Sequence, residues 1–281
     1  MLTPQQANKF GLLVQRAYGM YVADRASLAP APDPALAPEW EIVGQLTASD
    51  SLFRSKQTLV LGDEVWYGFL ARSTTTPGIY AAVIRGTEGI VEWIKDAQFL
   101  MTAHPVVGRV ERGFKDIYDT LQLVPVSGVV TPARIGIPIA VGDTGTLVIV
   151  AHSLGSSLGS LLAFDLAAVM GARVSACLFA SPRPGDATFA QALDKLVASY
   201  ELYNYELDIV PRVPRGFDYT DLPRVSWIGI ASAQAHIRFD FLCHHHIECY
   251  RAMLDYGSDD WSGTPCILGP TPAAAAGGLA L

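Results

Sequence analysis

The chain has 281 residues and a formal net charge of -7 with no run of Lys or Arg, which excludes nucleic-acid binding by phosphate neutralisation. Half of it is hydrophobic, 17% is charged and the mean hydropathy is +0.27, so a disordered chain is excluded and an apolar-rich surface is expected. No run of 18 or more apolar residues is present, and the start, MLTPQQANKF, lacks a basic n-region and an apolar h-region. Neither a transmembrane segment nor a signal peptide is expected: the protein stays inside the cell or has lost a leader.

In chain order, Ala7, Phe10, Leu13, Val14, Ala17 and Tyr18 recur at three- and four-residue spacing, which predicts an amphipathic helix laid on the core with no chemistry of its own. The Pro- and Ala-rich stretch from Leu28 to Pro38 reads as a solvent loop. TLVLGDEVWYGFLAR (58–72) sets a Gly-Asp turn between two β-prone runs, and GIYAAVI (78–84) reads as a neighbouring buried strand. The pattern turns helical over 107–121, then a Gly-, Pro- and Val-rich connection leads to LVIVA (147–151), an uninterrupted apolar run typical of a parallel strand covered on both faces. A helix follows over 154–170, then a strand at 173–180, a helix at 187–197, a strand at 200–205 and a last helical segment after CHHHIECY (243–250).

Strands alternating with helices predict an α/β fold, a mostly parallel central sheet with helices on both faces. Its length suits one domain over 1–268, followed by an Ala-, Gly- and Pro-rich flexible tail, 269–281. Cys177, Cys243, Cys249 and Cys266 are too few for a disulfide framework in a chain this long, although three pairings exist if they are oxidised.

AHSLG (151–155) lies where the apolar strand ends and the next helix begins. Small residues two before and two after Ser153 let strand and helix approach closely, so the serine can stand on a sharp turn with its oxygen exposed above the sheet. The helix N-terminus beneath it favours developing negative charge. Read without that context, Ser153 is an N-cap.

A serine nucleophile in this setting needs an acid and then a histidine further along, on loops at the strand ends. Asp208 follows the strand at 200–205 and precedes IVPRVP, whose prolines force an extended loop. CHHHIECY carries three of the six histidines, His244, His245 and His246, and adjacent side chains point differently, so one of them can serve as base. Cys243, Glu248 and Cys249 are metal-ligand types, but no ligand pairing with metal-site spacing is present, so no metal and no cofactor is expected. His104 and His236 stand alone and read as structural or surface residues. An oxyanion hole would combine the Leu154 amide with one from RGT (85–87), where Gly86 lets the backbone face the site and Thr87 adds a hydroxyl.

Six blocks, VIRGTEGIVEWIKDAQF (83–99), VERGFKDIY (110–118), VIVAHSLGSSLGSLLAFDL (148–166), FASPRPGDATFA (179–190), DIVPRVP (208–214) and HHIECY (245–250), together resemble the class 3 lipase family of fungal-type α/β-hydrolases. Ala151 stands for the usual first glycine of the elbow, and Ser156 and Ser157 for the double glycine after it. The resemblance implies an α/β-hydrolase fold with Ser153 as nucleophile, Asp208 as acid, His245 as base and Thr87 with Leu154 as the oxyanion pair. A shorter fungal gap to Tyr250 would select His246 instead. Ile90, Val91, Trp93 and Ile94, within 88–95, correspond to a lid over the acyl site. The implied activity is ester hydrolysis of acylglycerols, that of a triacylglycerol lipase, on a lipid ester at a transient lipid–water interface. A phospholipase A1 or a short-chain carboxylesterase would use the same residues, and a catalytically silent lipid-binding relative is the alternative from another class.

Overall fold

The computed structural model describes residues 2–49, 64–87, 89 and 99–271. Its strands, in chain order, are β1 (Trp40–Ser49), β2 (Glu64–Ser73), β3 (Ile79–Ile84), β4 (Met101–Ala103), β5 (Arg109–Glu111), β6 (Gln122–Pro125), β7 (Thr131–Pro132), β8 (Thr146–His152), β9 (Val174–Phe179), β10 (Ser199–Tyr205), β11 (Val225–Ile228), β12 (Ala235–Ile237) and β13 (Ile267–Pro270). The α-helices among the described residues are α1 (Pro4–Ala23), α2 (Arg112–Asp119), α3 (Ala133–Val141), α4 (Leu154–Met170), α5 (Ala187–Leu196) and α6 (Ile247–Leu254).

Nine of these strands form one sheet in the order β11-β10-β9-β8-β3-β2-β1-β6-β7. From β3 to β11 neighbours run parallel, and from β3 to β7 they run antiparallel. The strand period of two sorts the sheet's side chains onto two cores. Leu147, Ile149 and Ala151 of β8 join Ala82, Ile84, Ala176 and Leu178 beneath α4, whereas Val148 and Val150 join Val83, Cys177 and Phe179 beneath α1. Both faces of the sheet are therefore covered, which is why β8 tolerates an unbroken apolar run.

Helix α1 starts with a capping box: the Thr3 hydroxyl accepts the Gln6 amide hydrogen and the Gln6 side chain accepts that of Thr3. Ala7, Leu13, Val14 and Ala17 are buried on its inner stripe, as their spacing predicts. Helix α4 buries nearly every side chain, and the stretch Leu154–Arg173 is long and apolar enough to cross a membrane; 78% of that window is buried inside the fold, as a core helix.

Several elements differ from the sequence expectation. Strand β1 carries Gly44, Gln45 and Thr47 among its apolar residues and two register shifts against β2, so its alternation is blurred. The connection before β8 contains a helix, α3, although Gly136 and Pro138 are both helix breakers. Gly136 lets α3 lie close to β7, since a Cβ there would lie 2.2 Å from Thr131 Oγ1. The helical pattern at 107–121 opens as β5 and is helical only over Arg112–Asp119. The β-prone run expected ahead of the Gly-Asp turn, 58–61, and the turn itself, 62–63, lie outside the described residues. Gly269 and Pro270, expected to begin a flexible tail, pair in β13 with β12, and the remainder from 272 lies outside the described residues.

Candidate active site

Ser153 sits between β8 and α4 with φ 60° and ψ -134°, a conformation a non-glycine residue adopts at a cost on the order of 1–3 kcal/mol. Its neighbours permit the turn. A Cβ at residue 155 would lie 2.5 Å from the backbone oxygens of both Ile84 and Arg85, and one at residue 86 would lie 2.6 Å from Ser153 Cβ, so only glycine lets α4 and the β3 turn close on the serine. The same closeness corrects one expectation. Ser153 is not exposed above the sheet but fully buried, with Oγ directed at a histidine.

That histidine is His245. Its Nε2 lies 2.8 Å from Ser153 Oγ and its Nδ1 lies 2.7 Å from Asp208 Oδ2. A carboxylate only accepts, so Nδ1 carries the proton and donates, leaving Nε2 to accept from the serine hydroxyl. Asp208, 1% exposed, is further fixed by the Tyr250 hydroxyl donating to Oδ2 at 2.8 Å and the Val210 amide donating to Oδ1 at 2.9 Å. Burial, with the Asp208 charge next in effect, pushes the Tyr250 phenol well above its ordinary range, so it stays a donor. Its oxygen also accepts from the Tyr205 amide at 2.9 Å, which ties the end of β10 to α6.

The two flanking histidines point elsewhere. His244 packs edge-on to the Tyr205 and Phe239 rings, with centroids 5.7 and 5.4 Å away, and burial lowers its pKa. His246 is exposed at the start of α6, with Nδ1 3.9 Å from Cys266 Sγ. The loop ahead of His245 is held by a disulfide between Cys243 and Cys266, which the sequence left open, and by the packing of Ala235, Trp261 and Ile267 around it. Cys177 and Cys249 are free, buried thiols whose pKa burial raises. The ligand types clustered at 243–249 are thus dispersed, and among the described residues no group of three or more His, Cys, Asp or Glu is placed to hold a metal ion.

Thr87 follows the β3 turn and, with Tyr18, Leu242, His245, Ile247 and Glu248, lines a cavity of about 300 Å³ beside the histidine. Leu154, fully buried, is the first residue of α4. Ile90, Val91, Trp93 and Ile94 lie outside the described residues. His104 is nearly buried, its Nδ1 accepting from the Val106 and Val107 amides, and His236 is exposed in β12.

Sequence reasoning missed three residues around the site: Tyr18, His152 and Tyr250 as the partner of Asp208. Tyr18 closes an apolar helical stripe and so reads as core. His152 was hidden by its position beside the serine, although the alternation of β8 sends it to the α1 face, opposite Ala151.

The family model described as Lipase (class 3) matches residues 81–217. A curated lipase from Rhizomucor miehei is 31% identical over 166 residues, which are 57% of this chain and 44% of that protein, so the chain spans less than half the length of the relative it matches. A solved Rhizomucor miehei lipase propeptide complex superposes with a TM-score of 0.58 at 20% identity, covering 79% of this chain and 67% of that one. Lipase II from Rhizopus niveus gives 0.57 at 22% identity, covering 81% and 82%. These likenesses show the α/β-hydrolase fold, with its parallel strands and flanking helices. The matched stretch holds Ser153, Asp208 and the Thr87 turn, and over it the chain is similar to the class 3 lipases.

Proposed function

We propose that the protein is a serine ester hydrolase of acylglycerols, a triacylglycerol lipase, working through an acyl-enzyme at Ser153. The observation that carries this reading is the unbroken line Ser153 Oγ, His245, Asp208, with both contacts under 3 Å. His245 takes the serine proton as Oγ attacks the ester carbonyl, and Asp208 stabilises the resulting imidazolium and holds its tautomer. The oxyanion is received by the Thr87 and Leu154 amides, the second at the positive end of α4. His245 then passes its proton to the departing alcohol, takes one from a water that attacks the acyl carbonyl, and returns that proton to the Ser153 oxygen as the ester bond breaks and the fatty acid leaves. No step calls on a cofactor.

The segment 88–95, directly after the oxyanion turn, is assigned as a lid that opens at a lipid surface; its mixture of Ile90, Val91, Trp93 and Ile94 with Glu88, Glu92 and Lys95 supports this. The Cys243–Cys266 disulfide supports an oxidising compartment, and so the exported alternative.

The test is a panel of p-nitrophenyl esters of rising chain length together with emulsified triolein and phosphatidylcholine vesicles. A lipase with a working lid hydrolyses long-chain esters and triolein, with a rate jump above substrate solubility. Preference for phosphatidylcholine would reassign it as a phospholipase A1, preference for soluble short esters as a carboxylesterase, and no turnover with any of them would leave a lipid-binding relative.

A further inference from the structure

Tyr18 and His152 join two parts of the site through one directed chain of hydrogen bonds. Because β8 alternates, His152 leaves the sheet on the same face as Val148 and Val150, where Tyr18 stands on α1. The ring of His152 is buried, with Nε2 2.8 Å from the His245 carbonyl oxygen and Nδ1 2.9 Å from the Tyr18 hydroxyl. A carbonyl only accepts, so Nε2 carries the hydrogen. Burial foremost, and the neighbouring His245 next, hold the ring neutral, which leaves Nδ1 bare as an acceptor. Tyr18 must then donate to Nδ1, and its oxygen accepts the Gly86 amide hydrogen at 2.8 Å. The chain therefore runs from Gly86 N–H to the Tyr18 hydroxyl, through the His152 ring, to the backbone of His245.

Both ends matter for chemistry. Gly86 precedes Thr87, so the Tyr18 oxygen fixes the height of the turn proposed to meet the oxyanion. His245 is held by His152 at its backbone while Asp208 holds its ring, and two fixed points define where Nε2 lies. The rings also pack: His152 has its centroid 4.7 Å from that of His245 and 5.7 Å from that of Tyr18. The tightness at Gly86 fits this arrangement, since a Cβ there would lie 2.7 Å from the Tyr18 hydroxyl.

We propose that Tyr18 and His152 are positioning residues of the hydrolase: they set the oxyanion turn and the backbone of the general base relative to Ser153. This rests on the ester-hydrolase reading and assigns chemistry to a helix whose sequence pattern marks it only as packing.

Tyr18→Phe removes one oxygen and keeps the ring, His152→Phe removes both nitrogens, and His152→Gln keeps a donor for the His245 carbonyl. Each is compared with the wild type by ester kinetics, by the affinity of a trifluoromethyl ketone that adds to the serine and places an oxyanion in the hole, and by thermal unfolding. Expected for Tyr18→Phe and His152→Phe is a fall in kcat of about 10- to 100-fold with KM within about twofold of wild type. Ketone affinity should fall by a similar factor, with the melting temperature of Tyr18→Phe lowered by no more than the few degrees that losing a part-buried hydrogen-bond partner costs, and His152→Gln should recover most of the rate. Wild-type kcat in Tyr18→Phe, a loss confined to KM, a fall in kcat with ketone affinity intact, or no recovery in His152→Gln would each overturn the proposal. An inactive wild type that also ignores the ketone would overturn the hydrolase reading itself, so the two failures are distinguishable.

Discussion

At the scale of single residues, the site is built from groups whose hydrogen-bond directions leave one consistent assignment. Asp208 accepts from His245, Tyr250 and Val210, so its charge is met by three donors although it is buried. Replacing Tyr250 with Phe would leave the Tyr205 amide without that acceptor and Asp208 with one donor fewer. The unfolding free energy from urea titration should fall by about 1–3 kcal/mol, the usual cost of stranding a buried polar group; an unchanged midpoint would contradict this role. The residue types for the chemistry were legible in the sequence, because a serine on a strand-to-helix turn, an acid after a later strand and a histidine cluster are few in this chain. Which histidine points inward was not legible from the residues alone. It depends on where α6 begins and on the anchoring of Cys243, both properties of the folded loop. Tyr18 and Tyr250 were illegible for another reason: an aromatic on an apolar helical stripe looks the same whether its hydroxyl is idle or bonded.

At the scale of elements, the strand-turn-helix of β8 and α4 does most to shape the site. Its two glycine contacts are against backbone, not against side chains that could rotate away. Gly155→Ala forces its methyl toward the Ile84 and Arg85 oxygens, so α4 must retreat from the β3 turn. Stability should drop by about 1–3 kcal/mol, as for overpacking of a tight core, and turnover should fall with it. A Gly155→Ala protein that melts and turns over like wild type would show that the close approach is not needed. This element was the most legible part of the fold, since LVIVA followed by small residues and a Leu- and Ala-rich run fits little else. Helix α3 was the least legible, because Gly136 and Pro138 argue locally against a helix that burial of Ala133, Ile137 and Val141 stabilises. Tertiary packing overrides propensity there.

At the scale of the whole molecule, the N-terminal and C-terminal helices meet on one face of the sheet and bring the site's supports with them. Asn8 of α1 donates to the Arg251 carbonyl at 2.8 Å, the Arg251 guanidinium reaches back to Asn8 and to Asp259, and its cationic carbon lies 5.1 Å from the Trp261 ring centre. The buried histidines make this arrangement pH-sensitive. Burial holds His152 neutral in the fold, whereas the unfolded chain protonates it near its ordinary pKa of about 6.5. The stability it contributes is present above that pH and is lost as pH falls toward its depressed folded value. His104 and His244 act in the same direction, and the burial-raised pKa of Glu111 acts in the opposite one. Measured as a difference between wild type and His152→Gln, the Glu111 effect cancels, and below about pH 6.5 the wild type should lose up to about 1.4 kcal/mol more per pH unit. Parallel profiles would contradict a neutral, buried His152. The central claim is that Ser153, His245 and Asp208, brought together by this packing, make one reactive serine. Intact-mass analysis after brief exposure to a fluorophosphonate tests it most directly: the account requires a single adduct on Ser153, absent from Ser153→Ala together with ester turnover. An unlabelled Ser153, or a Ser153→Ala protein that still hydrolyses esters at the wild-type rate, would contradict it.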